Sequence, residues 1–123
     1  MAKRILIADD EPNIVISLEF LLKREGYDVD VAQNGAEALV RIRANRPDMA
    51  ILDVMMPQRN GFEVCQELRA DPEFADLRIM MLTAKGRDTE VSKGLALGAD
   101  VYMTKPFSTR ELVAKVKALM DRA

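Results

Sequence analysis

The sequence predicts an α/β fold in which one parallel sheet of five strands carries helices on both faces. Short apolar runs, most of them ending in an acidic or hydroxyl residue, alternate along the chain with stretches of helical periodicity. Runs this short and this uniformly apolar are typical of parallel strands buried on both faces. Strands that alternate with helices imply right-handed crossovers, which place helices on both sides of one sheet. The 123 residues contain no linker or low-complexity tract, so we expect one domain over 1–123.

Five segments fit this description of a strand, although the second differs from the others in its pattern. Val29, Asp30 and Val31 alternate between apolar and charged residues, which favours a half-exposed strand at an edge of the sheet. The other segments are continuous apolar runs, as expected for strands with both faces covered. The strands are predicted over 4–8, 29–31, 49–52, 78–82 and 101–103.

A helix is predicted after each strand, and several of these helices have recognisable ends. Asn34 with Glu37 predicts a capping box at the second helix, and Ser108 with Glu111 predicts another at the last helix. Gly26 is suited to end the first helix because glycine tolerates the left-handed backbone of a helix terminus. The five helices are predicted over 12–26, 34–47, 61–71, 88–97 and from 108 onward.

The composition excludes several classes of function. The formal net charge is −2 and no segment is strongly basic, so there is no electrostatic reason to expect nucleic-acid binding by this domain. No apolar stretch approaches the roughly 20 residues that span a bilayer, and the start of the chain lacks a signal-peptide core. We therefore expect a cytoplasmic protein that does not associate with membranes.

The chain has no histidine and a single cysteine, Cys65. These counts exclude histidine-based acid–base catalysis, Ser-His-Asp triads and an intramolecular disulfide. Cys65 falls on the apolar face of a predicted helix with Phe62 and Leu68, so we expect a buried core thiol. The chemistry that remains is that of carboxylates, hydroxyls and ammonium groups with a hard cation.

Polar residues at the ends of the predicted strands form a candidate site. Asp9 and Asp10 follow the first strand, Asp53 follows the third, Thr83 follows the fourth and Lys105 lies just after the fifth. Because ligands bind at the carboxyl ends of the strands in open parallel sheets, these side chains are expected to meet there. Neighbouring carboxylates repel each other until a proton or a cation intervenes, and an all-oxygen ligand set favours Mg²⁺, or Mn²⁺ as a substitute.

Each of these residues also has a purely structural interpretation. The acidic run from Asp9 to Glu11 suits a solvated loop whose charges favour the start of a helix, and Glu11 is expected to face solvent. Asp53 alone suits a strand-end acid that caps a turn, and Thr83 alone suits an ordinary strand residue. Lys105 alone suits a solvated charge, although the proline that follows it restricts its backbone.

Five stretches, in this order and spacing, resemble the receiver domain of two-component response regulators, the family of the bacterial chemotaxis response regulator. The matching stretches are 5–12, Leu52-Asp53-Val54-Met55-Met56-Pro57 with Gly61, Leu82-Thr83-Ala84, Gly98-Ala99-Asp100 and Lys105-Pro106-Phe107. The resemblance implies a flavodoxin-like fold with the strand order 2-1-3-4-5. It implies a signalling switch that catalyses only its own phosphorylation and dephosphorylation, and not an enzyme with an external substrate.

The resemblance also implies a role for each residue of the candidate site. Asp53 would be the phosphoacceptor, and Lys105 would pair with the phosphoryl oxygens. Mg²⁺ would be held by Asp9, Asp10 and Asp53 together with the backbone carbonyl of Met55. The expected phosphodonor is a sensor histidine kinase or a histidine phosphotransfer protein.

The output of such a switch is implied in the same way. Thr83 would hydrogen-bond the phosphoryl group, and Tyr102 would rotate into the space that Thr83 vacates. The surface made by the predicted 88–97 helix, the fifth strand and the last helix would then engage an effector protein or a fused effector domain. A weak phosphorylation-dependent homodimer would bring Lys93 and Glu111 together across this surface, whereas in a monomer both would be solvated charges.

Two other classes of function compete with a signalling switch. A Mg²⁺-dependent aspartyl-phosphate phosphatase of the haloacid dehalogenase type has a similar site but needs an acid where this chain has Met55. A flavin-binding module of similar fold would have a Ser/Thr- or Gly-rich loop after the first strand, and this loop is acidic. The chain ends at Ala123, soon after the last helix, which fits either a stand-alone receiver or one domain of a longer protein.

Overall fold

A computed structural model describes residues 3–84 and 98–121. Its sheet has five parallel strands in the order β2-β1-β3-β4-β5, which confirms the predicted fold class and strand order. β2 lies at one edge with partly exposed residues, as its alternating pattern predicted. The strands are β1 (Arg4–Ala8), β2 (Asp28–Ala32), β3 (Met49–Asp53), β4 (Arg78–Ala84) and β5 (Val101–Lys105).

Four α-helices lie within the described part of the chain, and the remaining predicted helix, over 88–97, lies outside it. A short 3₁₀ helix, Pro72–Phe74, follows the third helix and was not predicted, because it has only a single turn capped by Asp71. None of the described helices has the length and apolar character needed to cross a membrane. The helices are α1 (Pro12–Arg24), α2 (Gly35–Asn45), α3 (Gly61–Arg69) and α4 (Thr109–Met120).

β4 and β5 extend further than their apolar runs predicted. β4 continues to Ala84 and β5 to Lys105, and the two strands remain paired at these ends, with Thr83 opposite Thr104. Pairing uses backbone groups, so polar side chains do not interrupt it. Thr83 and Lys105 are therefore held by the sheet itself and not by the loops after it.

The Asn34 and Ser108 side chains cap α2 and α4 as predicted, but neither end forms the complete capping box that was predicted. The Asn34 side chain accepts a hydrogen bond from the backbone N–H of Glu37 at 2.8 Å. The Glu37 carboxylate, however, accepts the N–H of Gln33 at 2.9 Å and not that of Asn34, so this half of the predicted box is wrong. At α4, Ser108 accepts the N–H of Glu111 at 3.3 Å. Each such side-chain cap stabilises a helix by about 1 kcal/mol.

The core consists of two apolar clusters, one on each face of the sheet. Leu6 and Ala8 point toward α2 and α3, whereas Ile5 and Ile7 point toward α1 and α4, as the alternation of side chains along a strand requires. Cys65 is fully buried in the first cluster, which confirms the predicted core thiol, and burial raises the pKa of this thiol. Both faces of the sheet are thus covered, which leaves its edges and strand ends for function.

α3 begins close behind the end of β3. The Asn60 side chain accepts the N–H of Glu63, and the Glu63 carboxylate accepts the N–H of Asn60, in a complete capping box that was not predicted. A Cβ atom on Gly61 would lie 2.5 Å from the backbone carbonyl oxygen of Asp53. A residue with a side chain would therefore force α3 away from the end of β3.

We predict that Gly61→Ala lowers the free energy of unfolding by about 1–3 kcal/mol, because a backbone atom cannot yield to the added methyl group. Alanine is intrinsically the better helix former by about 1 kcal/mol, so a stabilised variant would contradict this close contact. Urea unfolding followed by circular dichroism measures the change. Gly26→Ala is the comparison, because Gly26 has a φ of +95° with open space around it, so it tests backbone strain without a clash.

Candidate functional site

The strand register brings two buried carboxylates side by side at the carboxyl edge of the sheet. Ala8 of β1 pairs with Leu52 of β3, so the next residues along the two strands, Asp9 and Asp53, are neighbours. They are 1% and 4% exposed, whereas Asp10 is exposed at the start of the following loop. Carboxylate oxygens of Asp9, Asp10 and Asp53 lie within 4.8 Å of one another, as the sequence predicted.

The Asp53 carboxyl group is strongly affected by these surroundings. Burial raises its pKa to about 7, the negative charge of Asp9 adds to the shift, and the positive charge of Lys105 opposes it. The backbone N–H of Met55 lies 3.4 Å from Asp53 Oδ1 and favours the ionised form. At neutral pH the site therefore holds a proton for part of the time. A bound cation would take the place of that proton.

The donor set fits a hard divalent cation. The clustered side chains offer only carboxylate oxygens, without nitrogen or sulfur, and this is the ligand chemistry of Mg²⁺ and Mn²⁺. Asp9 and Asp10 with Asp53 are the residues that would hold such an ion. The Met55 side chain is 63% exposed at the rim of the site, and a role for its backbone carbonyl as a further ligand stays a prediction.

Lys105 lies among the carboxylates of this edge. Its Nζ is 3.0 Å from Asp9 Oδ2 and 3.5 Å from Asp53 Oδ1. Burial alone would lower the pKa of Lys105, but hydrogen bonds to Asp9 and Glu11 and the charge of Asp53 outweigh burial and raise it. The ammonium group is therefore charged throughout the physiological pH range, as its predicted pairing with phosphoryl oxygens requires.

Glu11 contacts the same ammonium group, which the sequence did not predict. Glu11 Oε1 lies 3.0 Å from Lys105 Nζ, although the Glu11 side chain remains 58% exposed. The expectation that Glu11 faces solvent is therefore only partly correct. Lys105 lies 94 residues further along the chain, and no local pattern relates the two positions.

Thr83 and Tyr102 lie on the two strands that follow Asp53 in the sheet. Thr83 is fully buried in β4, one residue beyond Leu82, which pairs with Asp53. Tyr102 in β5 pairs with Met81 and packs against the α2/α3 side of the core, and its hydroxyl oxygen is shielded from solvent. The Tyr102 hydroxyl is therefore not in water, and the switch roles of both residues stay predictions.

The proposed output surface is only partly within the described residues. Lys93 and the predicted 88–97 helix lie outside them. Glu111 is exposed on the first turn of α4, where it lines a groove of about 280 Å³ together with Tyr102 and Phe107. The contact between Lys93 and Glu111 across a dimer thus stays a prediction.

Comparisons of this chain with known proteins all point to the same protein family. A model described as the response regulator receiver domain matches residues 5–117. The alkaline phosphatase synthesis transcriptional regulatory protein PhoP of Bacillus subtilis (strain 168) is 49% identical over 123 residues, which cover 100% of this chain and 50% of that protein. The chain thus spans about half the length of this relative.

Solved structures agree with this match. A protein from Chloroflexus aurantiacus J-10-fl, described as a response regulator, is 38% identical and has a TM-score of 0.95 over 99% of this chain and 100% of its own. The chemotaxis response regulator CheY4 of Vibrio cholerae is 30% identical, with a TM-score of 0.90 over 97% of this chain and 99% of its own. With a family model over most of its length and the expected sheet order, the chain belongs to the response regulator receiver domain family.

Proposed function

We propose that this domain is a phosphorylation-dependent switch of a two-component system that accepts a phosphoryl group on Asp53. The donor is the phosphohistidine of a sensor histidine kinase or of a histidine phosphotransfer protein. The observation that carries the proposal is the juxtaposition of buried Asp53 with Asp9, Asp10 and the Lys105 ammonium group. That arrangement supplies a nucleophile, a cation site and an anion-binding group at one edge of the sheet.

The residues of the site suit the transfer step. A carboxylate oxygen of Asp53 attacks the phosphorus of the phosphohistidine, and the phosphorus–nitrogen bond breaks as its electron pair returns to the imidazole. Phosphoryl transfer depends mainly on positioning and on neutralising charge on the phosphoryl oxygens, and Lys105 is placed 3.5 Å from Asp53 to contribute both. When bound at Asp9, Asp10 and Asp53, Mg²⁺ or Mn²⁺ neutralises further charge on these oxygens.

The alternative of a phosphatase with an external substrate is less well supported. Such an enzyme needs a general acid close to its nucleophile, and the side chain two residues after Asp53 is the thioether of Met55, which carries no proton to donate. We propose that the domain catalyses only its own phosphorylation and dephosphorylation. Its place of action would be the cytoplasm, where histidine kinases present their phosphoryl groups.

The proposed output is supported by the location of Thr83 and Tyr102 on the two strands beyond Asp53 in the sheet. A phosphoryl group on Asp53 adds strong acceptors next to the buried end of β4, and Thr83 would move to donate to them. Tyr102 would rotate in response and change the surface of β5, α4 and the predicted 88–97 helix. This surface would engage an effector protein or a fused effector domain. Because the relative from Bacillus subtilis is named a transcriptional regulatory protein, such an effector would act in transcription. A weak homodimer through Lys93 and Glu111 is part of the same proposal.

We predict that Asp53→Asn abolishes phosphorylation, because the amide has no nucleophilic carboxylate oxygen. Intact-mass measurement after incubation with a phosphorylated histidine kinase or acetyl phosphate, with and without Mg²⁺, reads the result. The matched control is Asp48→Asn, an exposed acid just before β3, at the opposite end of that strand. An unchanged mass shift in Asp53→Asn, or equal labelling in the presence of excess chelator, would refute the proposal.

The raised pKa of Asp53 predicts a specific pH dependence of stability in metal-free protein. The folded state retains a proton on Asp53 up to about pH 7, whereas the unfolded chain releases it near the ordinary pKa of 3.8. The free energy of unfolding should therefore decrease as the pH rises from about 4 to about 7, by on the order of 2–4 kcal/mol from this group. Asp53→Asn should lack that component and should be more stable than the wild type at pH 8.

Urea unfolding in the presence of a chelator at a series of pH values measures this dependence. In Asp48→Asn the free energy of unfolding should change with pH as it does in the wild type, because Asp48 lies at the other end of the sheet. Mg²⁺ added at pH 8 should stabilise the wild type more than Asp53→Asn, because binding to the folded state alone adds to its stability. If the free energy of unfolding changed equally with pH in the wild type and in Asp53→Asn, Asp53 would ionise near the ordinary pKa of a carboxyl group, which would contradict the prediction.

We further predict that beryllofluoride with Mg²⁺ changes amide hydrogen exchange around Tyr102 and at the start of α4. β2, at the opposite edge of the sheet, serves as an internal control that should not change. Sedimentation of the same samples reports whether the proposed dimer forms. Exchange around Tyr102 that is unaffected by beryllofluoride would contradict the proposed output while leaving the phosphorylation of Asp53 intact.

A further inference from the structure

Glu11 occupies the N-cap position of α1, but its side chain does not cap the helix. Side-chain oxygens at this position usually accept a backbone N–H of the first turn, which stabilises the helix by about 1 kcal/mol. In this chain the Glu11 carboxylate instead points across the edge of the sheet to Lys105, with Oε1 3.0 Å from Nζ. The backbone of Glu11 is fixed on both sides, because its N–H donates to Asp9 and its carbonyl accepts the N–H of Ile14.

Three carboxylates therefore share one ammonium group. Asp9 and Glu11 are each 3.0 Å from Lys105 Nζ, and Asp53 is 3.5 Å away. An ammonium group has three N–H donors, and in the resting protein two of them are directed to Asp9 and Glu11. Asp9 and Asp53 belong to the proposed cation and phosphorylation site, whereas Glu11 has no place in that chemistry. Glu11 is thus a competitor for the group that must reach the phosphoryl oxygens.

We propose that Glu11 is a positioning residue that holds Lys105 in its resting position and thereby slows phosphorylation of Asp53. The inference rests on the proposed function, since it assigns a restraint on the lysine that this function uses. For phosphoryl transfer Lys105 has to turn from Glu11 toward the new oxygens on Asp53. Loss of the Glu11 contact therefore offsets part of the stabilisation that Lys105 gives to the phosphoryl oxygens.

The Glu11 carboxylate should have opposite effects on the two ligands of the site. Its negative charge near the Asp9 and Asp53 carboxylates favours a bound cation, whereas the contact with Lys105 opposes the anionic phosphoryl group. Glu11→Gln should therefore weaken Mg²⁺ binding and yet raise the phosphorylation rate at saturating Mg²⁺. Because the Glu11 side chain is 58% exposed, we expect each change to be roughly two- to fivefold, the range of an exposed ion pair.

The resting contact can be tested without any phosphorylation, by a double-mutant cycle in metal-free protein. The cycle compares urea unfolding of the wild type, Glu11→Gln, Lys105→Met and the double variant. We expect the two substitutions to be non-additive, with a coupling of about two- to fivefold in the unfolding equilibrium constant that decreases at high salt. Additive effects would overturn the proposal, because they would mean that the two side chains do not interact in solution.

The role of the contact is tested by phosphorylation rates with acetyl phosphate at saturating Mg²⁺, together with Mg²⁺ affinities from calorimetry. Glu11→Gln should show the faster rate and weaker Mg²⁺ affinity described above. Glu11→Asp retains the charge but shortens the side chain, so it should also be phosphorylated faster while its Mg²⁺ affinity stays near that of the wild type. A wild-type rate for Glu11→Asp would overturn the positioning role, since charge alone would then explain Glu11→Gln.

A matched control is Glu19→Gln, which removes a carboxylate of α1 that pairs with Lys23 at 2.9 Å and lies outside the site. It should leave both the rate and the Mg²⁺ affinity unchanged. Failure of this inference is distinguishable from failure of the proposed function. A wild-type protein that no donor phosphorylates at Asp53 would refute the function, whereas normal wild-type phosphorylation with unaltered Glu11 variants would overturn only the role of Glu11.

Discussion

The mutual repulsion of Asp9 and Asp53 is the interaction on which the rest of the site depends. Both carboxylates are nearly inaccessible to water, and burial of neighbouring charges is costly unless they are protonated, paired or bound to a cation. Lys105 relieves part of this repulsion in the resting protein. Burial, and after it the negative charge of Asp9, raises the pKa of Asp53, and in the proposed function the same repulsion would favour a bound cation.

The sheet keeps these groups together because its other parts allow little adjustment. α3 starts against the backbone of Asp53 at Gly61, which limits movement of Asp53 toward the core. At the far end of the same helix, Arg69 donates to the carbonyls of Phe74 and Gly98 and to the Asp100 carboxylate. Asp100 in turn accepts the N–H of Ile79 in β4. This network fixes where the chain enters β5, and therefore where Lys105 lies at the end of that strand.

The amino-terminal edge of the sheet is fixed in a different way. The last carbonyls of α4 accept hydrogen bonds from Arg78, whose Nε lies 2.9 Å from the Leu119 oxygen, and from Lys3. These side chains supply donors that a helix end otherwise lacks, and their positive charge suits the negative end of the helix dipole. Lys117 also pairs with Glu25 of the turn after α1. The last turn of α4 is thus anchored at the edge opposite to Asp53, so a change at Asp53 would affect mainly the first turn of this helix.

The local spacing of apolar residues determined most of the secondary structure of this protein. Continuous apolar runs predicted the four buried strands, an alternating pattern predicted β2, and periodic apolar residues predicted the described helices. The parallel topology then brings the strand ends to one edge, and this was sufficient to predict that Asp9, Asp10 and Asp53 would meet Lys105 there. The conformation of Gly26, with φ of +95°, likewise follows from its place at a helix end.

Only the tertiary structure decided which carboxylates lie close enough to compete for the Lys105 ammonium group. The strands continue through Thr83 and Lys105 because backbone pairing does not depend on the polarity of the side chains, and tertiary packing buries the Tyr102 hydroxyl on β5. The contact between Glu11 and Lys105 depends on a distance between side chains 94 residues apart. Charge interactions of this kind depend on separation and burial in three dimensions, and the periodicities of the sequence encode neither.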